Sequence, residues 1–370
     1  MIVLKTQKDI LLKPLQAVVG VVERKHTLPI LSNVLIECTG GRTAFVATDL
    51  ELQITAWLEG TGDTDNAFTV SARKLLDIIR ALPEQNEATL DLNGEQLKIQ
   101  SGKSRFNLQT LPARDFPKLQ IDASEGVSFS MPQSELRSLL ASAQYAMAVQ
   151  DIRYYLNGML FSLQGQKLVV VSTDGHRMAM DARLLAEDSG KNQDIILPRK
   201  TVMELIKLLT DSDEPVHIQI GGNQVVFRHS SFELRSKVVD GKFPDYQRVI
   251  PVNNDKEFDI DRQRLHQALS RAAILTNEKY RGVRLALTTG SLRIACSNNE
   301  QEEAQEELEI DFAHEPLDIG FNVQYIQDVV VGGRPVRKEV AAFRKRFLTM
   351  RYCFSEDMFA DLMARLHRLI

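Results

Sequence analysis

A chain of 370 residues exceeds what one ordinary core organises, and at about 100–200 residues per domain it implies two or three domains. Hydrophobic residues at 44%, charged residues at 25%, 20 Gly and 12 Pro describe a globular chain and exclude a disordered or collagen-like one. Lys and Arg number 45 against 49 Asp and Glu, a net charge of −4, so any affinity for nucleic acid must come from local placement of charge.

Apolar runs such as 168–171 and 329–331 are too short to span a membrane, and Lys5 and Lys8 stand where a secretion signal needs an apolar core. A cytoplasmic protein with no membrane partner is expected. Cys38, Cys296 and Cys353 are widely separated and lack CxxC spacing, which suggests neither a disulfide framework nor a zinc site.

In chain order, Ile10, Leu11, Leu15, Val18 and Val19 fall at helical spacing. The stretch NVLIECTGGRTAFVATD then alternates around a Gly turn and predicts a hairpin. SARKLLDIIRALP predicts a second helix, with Ser71 at its N-cap, and SRFNLQTLPARDFPKL a closing hairpin. The series then repeats. Leu136, Leu139, Leu140 and Ala143 mark a helix, NGMLFSLQGQKLVVVSTD a hairpin, LPRKTVMELIKLL a helix started at Pro198, and SSFELRSKVVDGKFPDYQ a closing hairpin. A third series runs through Leu265, Ala268, Leu269 and Ala272, then GVRLALTTGSLRIACSN, then NVQYIQDVV.

The hairpins end in Thr48-Asp49, Thr173-Asp174 and Ser297-Asn298, spaced 125 and 124 residues apart. Three copies of one α+β domain follow, with domains expected at 1–125, 126–254 and 255–370 and limits in the polar stretches IDASEG and NNDKEF. The third copy lacks its closing hairpin. Residues 331–370 read as amphipathic helix and hold nine Lys and Arg against four acids, whereas the rest of the chain is net −9.

Catalytic motifs are missing. SGKSRF contains the GKS of a phosphate loop, but Leu97 stands where its first Gly belongs, so a hairpin turn is expected. Asp174 and His176 could be an acid/base or metal pair, yet no further ligands lie nearby in sequence, and a non-enzyme with no metal or cofactor is the expectation. A metal-dependent nuclease would need clustered carboxylates; the only acidic run, near Glu300, alternates as a strand face does.

Basic residues recur on the predicted helices: Arg24-Lys25, Arg73-Lys74, Arg80, Arg137, Arg199-Lys200, Lys207, Arg264 and Arg271. They are either solvated helix faces or a charged surface facing a shared anionic partner. Gln150, Arg153, Tyr154 and Tyr155 form a cluster able to touch phosphate and stack on bases, although two buried tyrosines at a strand start is an equal reading.

TLPILSN (27–33), YYLNGMLF (154–161), STDGHRMAM (172–180), VDGKFPDYQRVIP (239–251) and NEKYRGVRL (277–285) together closely resemble the bacterial DNA polymerase III beta subunit family, over about residues 1–330. The resemblance implies a head-to-tail homodimeric ring of six similar domains, with helices lining a hole that encircles double-stranded DNA and sheets outside. It implies a non-catalytic processivity factor, opened and loaded by an ATP-driven clamp loader, that tethers DNA polymerases and repair proteins carrying QLxLF-like peptides.

Carried over by motif, DNA contacts fall on Arg24, Lys25, Arg73, Gln150, Arg153, Tyr154 and Tyr155, in a loop that departs from some relatives at Val149. The partner-peptide cleft takes Thr173, Gly175, His176, Arg177, Met178, Pro244, Arg248, Val249, Tyr280, Asn322 and Tyr325. The subunit interface sets Phe106 and Leu108 opposite Ile274 and Leu275, with Lys103 and Arg105 facing Glu300, Glu302 and Glu303. The family's cleft also uses closing strands and an MPMRL-like end that this sequence lacks. An incomplete cleft, a clamp-like paralogue or defective allele, and a shifted reading frame after about Val330 are the corresponding expectations.

Overall fold

The computed structural model describes residues 2–23, 28–59, 65–84, 86–120, 126–250 and 258–332. Arg24, Lys25, the expected domain limits and the atypical tail beyond residue 332 lie outside the described residues.

The first repeat runs β1 (Ile2–Gln7), α1 (Lys8–Val19), β2 (Asn33–Thr39), β3 (Arg42–Thr48), β4 (Leu52–Glu59), β5 (Asn66–Ser71), α2 (Ala72–Ala81), β6 (Glu87–Asn93), β7 (Gln96–Ser101) and β8 (Ser104–Pro112). The second runs β9 (Val127–Pro132), α3 (Gln133–Ala143), β10 (Gly158–Gln164), β11 (Lys167–Thr173), β12 (Met178–Leu184), β13 (Asn192–Pro198), α4 (Arg199–Leu208), β14 (Pro215–Gly221), β15 (Gln224–Arg228) and β16 (Phe232–Lys237). The third supplies α5 (Arg262–Ala272), β17 (Gly282–Thr288), β18 (Ser291–Ser297), β19 (Glu303–Glu309), β20 (Leu317–Asn322) and α6 (Val323–Gly332).

Each repeat therefore orders its first four-strand group alike: β4-β3-β2-β5, β12-β11-β10-β13 and β19-β18-β17-β20. Alternation of apolar residues places one face of each strand on the helices, which is why Leu11, Leu15 and Val18 of α1 and Leu75 and Ile79 of α2 are fully buried. Burying such a side chain stabilises by about 1.5–3 kcal/mol. The SGKSRF segment is a hairpin turn: Ser101 pairs with Ser104 around a left-handed Gly102, φ +56°.

The sequence pattern missed several strands, among them β4 to β6, β12 to β15, β19 and β20, and each segment expected as a closing hairpin holds one strand only, β8 or β16. Leading strands β1 and β9, which pair antiparallel with β6 and β14, escape it because residues 2–7 and 127–132 are too short to declare a period on their own. Strand β4 also pairs with β16, Ile54 facing Leu234, which joins the first repeat to the second in one twelve-stranded sheet.

That joint explains why contact density does not follow the repeats. One compact body holds the described residues of 1–140, 158–169 and 182–242; the other holds 141–157, 170–181 and those described from 243 onward. In the second body α5 and α6 pack on the third repeat's sheet through Leu265, Leu269, Val283, Ile294, Val323 and Ile326.

Several strands end a sheet or pair on one side only among the described residues, and two of these open edges lie in the first and third repeats. Residues 104–109 of β8 pair only with β7, since β5 takes residues 110–112, and β19 pairs only with β18.

Candidate functional site

The polar pair that ends each first hairpin builds an Asx turn. In the first repeat Asp49 Oδ1 accepts from the backbone N–H of Glu51 (3.0 Å) and Leu52 (2.7 Å). In the second, Asp174 Oδ1 accepts from His176 (2.9 Å) and Arg177 (3.0 Å), and Thr173 Oγ1 donates to Arg177 O at 2.6 Å. In the third, Asn298 Oδ1 accepts from Glu300 and Glu302. Asp174 is therefore the organiser of a turn that presents an exposed His176.

Arg177 is engaged on every side. Its Nε donates to Asp174 Oδ2 (3.0 Å), Nη1 to Asp328 Oδ2 (2.6 Å) and Nη2 to Tyr145 O (2.7 Å). Its guanidinium carbon lies 4.5 Å from the Tyr325 ring centroid and 5.5 Å from that of Tyr145. Burial works against the Arg177 charge, but Asp328 and Asp174 more than offset it, so its pKa lies above the ordinary value. Burial, aided by the Asp174 charge, pushes the Tyr325 hydroxyl up.

Beside this turn, residues 150–157 are held by their own side chains. Asp151 N–H donates to Asn157 Oδ1 (2.9 Å), and Asn157 Nδ2 returns a bond to Asp151 O (2.8 Å). Arg153 grips both oxygens of Asp151 through Nε (2.9 Å) and Nη2 (2.8 Å), and Nη2 also reaches Asp174 O at 3.2 Å. The arginine holds the Asp151 carboxyl down at about 2, chiefly through that side-chain bond. Ile152 is 97% and Tyr154 58% exposed, whereas Tyr155 is half-buried edge-on to Tyr154 at 5.8 Å. The reading of two buried tyrosines is thus corrected: a one-turn helix lifts Tyr154 clear of the core.

All the expected cleft residues lie in the second body. Pro244, His176, Arg248, Val249 and Tyr280 are exposed, and Thr173, Asn322 and Tyr325 half-buried. Asn322 caps α6 by accepting from Gln324 N–H at 2.9 Å. Arg248 pairs with Asp245 (2.8 Å). Met178, only 3% exposed, belongs to the core beneath, and Gly175 adopts φ +86° with Arg153 Nη1 2.8 Å from where a Cβ would stand.

The helix-borne cations are less free than their recurrence suggested. Arg73 Nη2 donates to Val22 O (2.7 Å), and Lys200 Nζ binds Val21 O (2.9 Å), Glu23 (3.1 Å) and Asp49 (2.5 Å). Both cations sit on carbonyls just past the C-terminal end of α1, where the helix dipole favours positive charge, and so anchor the chain that leads to Arg24 and Lys25. Arg271 is paired with Glu306 at 2.6 Å, on the half-buried face of β19, whose exposure alternates along the strand.

At the open edges, Lys103 and Arg105 are exposed while Phe106 and Leu108 are half-buried; Glu300, Glu302 and Glu303 are exposed. Ile274 is 76% exposed, but Leu275 packs on its own repeat's core.

Three family models match in succession: the N-terminal domain of the DNA polymerase III beta subunit at residues 2–120, the central domain at 130–245 and the C-terminal domain at 247–332. The beta sliding clamp of Pseudomonas aeruginosa is 47% identical over 340 residues, 90% of this chain and 91% of that protein, and that of Escherichia coli K12 is 45% identical over 325 residues, 88% of each. A crystal structure of the Pseudomonas aeruginosa DNA polymerase III subunit beta bound to griselimycin superposes with TM-score 0.83 at 44% identity, covering 90% of both chains.

The repeated helix-and-sheet domains and these likenesses define a DNA sliding clamp of the replication machinery. The chain belongs to the DNA polymerase III beta subunit family. Identity at this level does not favour the paralogue or defective-allele reading. Among the described residues no helix is long and apolar enough to cross a membrane.

Proposed function

We propose that two copies of this chain close head to tail into a ring around double-stranded DNA and act there without catalysis, as a cytoplasmic tether for polymerases and repair proteins. Domains at 1–125, 126–254 and 255–370 give six in the ring, and a clamp loader driven by ATP opens it. The observation that carries the reading is the opposite charge at two of the open edges: one bordered by Lys103 and Arg105, the other by Glu300, Glu302, Glu303 and Glu307. A strand edge left open is a template for pairing, and opposite charge selects the unlike edge of a second copy over the like one. Phe106, Leu108 and the exposed Ile274 supply the apolar centre.

A ring retains DNA by enclosure, so a few contacts suffice and tight phosphate binding would slow sliding. Arg24, Lys25, Arg73, Gln150, Tyr154 and Tyr155 serve this role. Arg153, already held by Asp151 and Asp174, acts by shaping the loop. The turn at 173–177 with Pro244, Arg248, Val249, Tyr280, Asn322 and Tyr325 receives QLxLF-like peptides.

The test is native mass by light scattering. Wild type is expected at twice 41.7 kDa and Ile274→Ala as monomer at micromolar concentration, because truncating an exposed anchor at an interface centre costs about 2 kcal/mol or more per site. A wild-type monomer sinks the ring.

A further inference from the structure

The described residues show an ion pair that the sequence reading did not name, between Arg177 of the turn and Asp328 of α6. Its surroundings are built. Asp328 sits three residues past Tyr325, on the same helix face. One of its oxygens takes Arg177 Nη1 at 2.6 Å; the other takes Gln324 Nε2 at 2.8 Å, and Gln324 Oε1 in turn accepts from Arg281 Nη1 at 3.2 Å. The side chains of Arg177 and Asp328 are 11% and 26% exposed, so the pair is largely out of water and neither partner can leave without stranding the other.

The helical position is also repeated. Asp77, Glu204 and Asp328 lie 127 and 124 residues apart, each on the second helix of its repeat. Glu204 of the second repeat is buried against Gly20 of the first, with Oε2 1.9 Å from where a Cβ on Gly20 would be. Asp328 of the third repeat reaches Arg177 of the second. In both, an acid on the second helix closes against the preceding repeat.

We infer that Asp328 is a positioning residue of the partner-peptide cleft: through Arg177 it fixes α6, with Tyr325, at a set distance from the Thr173–Arg177 turn that presents His176. The inference rests on the cleft reading above. Arg177, with its donors engaged by Asp174, Asp328 and Tyr145, serves as the strut and not as a peptide contact.

The test uses the full-length chain and a synthetic fluorescent peptide carrying the QLxLF pattern, read by polarisation, beside native mass and far-ultraviolet dichroism. Asp328→Ala is expected to bind the peptide at least about tenfold more weakly at unchanged mass and dichroism, and Asp328→Glu, which can still pair, within about threefold of wild type. His176→Ala separates the two readings. If it weakens binding while Asp328→Ala does not, the strut is wrong and the cleft stands. If neither matters, or wild type does not bind, the cleft reading falls and the inference with it. Loss of fold or mass in both Asp328 variants would make Asp328 a stability residue and overturn the positioning role. Amide exchange adds a readout: in Asp328→Ala, residues 173–177 and α6 should exchange faster together, and acceleration of only one overturns the coupling.

Discussion

The turns at 48–52 and 173–177 are the same device put to two uses. Threonine, aspartate and a left-handed third residue recur 125 residues apart, with Leu50 at φ 77° and Gly175 at φ +86°. In each the aspartate's Oδ1 ties down two backbone N–H groups and leaves Oδ2 for a cation. In the first turn the cation is Lys200, brought by α4 to bind Asp49, Glu23 and Val21 O, so the turn becomes a bolt onto the chain just past α1. In the second it is Arg177 of the turn itself, which extends to Asp328 and Tyr145, while Gly175 leaves room for Arg153. An identical local motif thus yields a largely buried fastener or a turn that exposes His176, according to which cation meets the free oxygen.

Lys200→Met should separate the two turns most sharply. The Asp49 side chain is only 9% exposed and would lose its cation, so stability should fall by about 2 kcal/mol, discounted because Lys200 itself is one-third exposed. Chemical denaturation checks the loss, and peptide affinity at the second turn should stay unchanged. Gly175→Ala should do the converse. A methyl at φ +86° pressed on the Arg153 guanidinium costs about 1–2 kcal/mol, and peptide affinity should drop about tenfold with little change in the melting of the rest.

Leu50→Gly should have a small effect, within about 1 kcal/mol, because relief of the left-handed strain offsets the half-buried side chain that is lost. Destabilisation well beyond that would mean that Leu50 packs as a core residue. The smallest effect concerns Asp151. Its folded pKa of about 2 lies below the ordinary carboxylate value, so its link to Arg153 is fully formed above about pH 4 and is lost as pH falls through about 2. Carboxyl titration by NMR should show that midpoint; one near 4 would dissolve the proposed shaping of the loop.

Much of this was legible in the chain. The spacing of Thr48-Asp49, Thr173-Asp174 and Ser297-Asn298 disclosed the repeat, and their side chains turned out to be the turn formers themselves. Helix faces such as Leu75 and Ile79 followed from period 3.6 because burial is a local consequence of that period. The acid recurring at 77, 204 and 328 was equally visible, but a single charge on a helix reads as a solvated face until its partner is known.

The sequence by itself determined three α+β repeats, the polar turns that close their hairpins and the family to which they belong. Only the tertiary structure decided that β4 pairs with β16, that Leu275 packs inward while Ile274 stands out, and that Arg177, Lys200 and Arg153 are held by Asp328, Asp49 and Asp151. The reason is physical: periodicity reports which face of an element leaves water, whereas the partner of a charge is set by side chains that approach from elsewhere in the chain, 151 residues away for both Lys200–Asp49 and Arg177–Asp328.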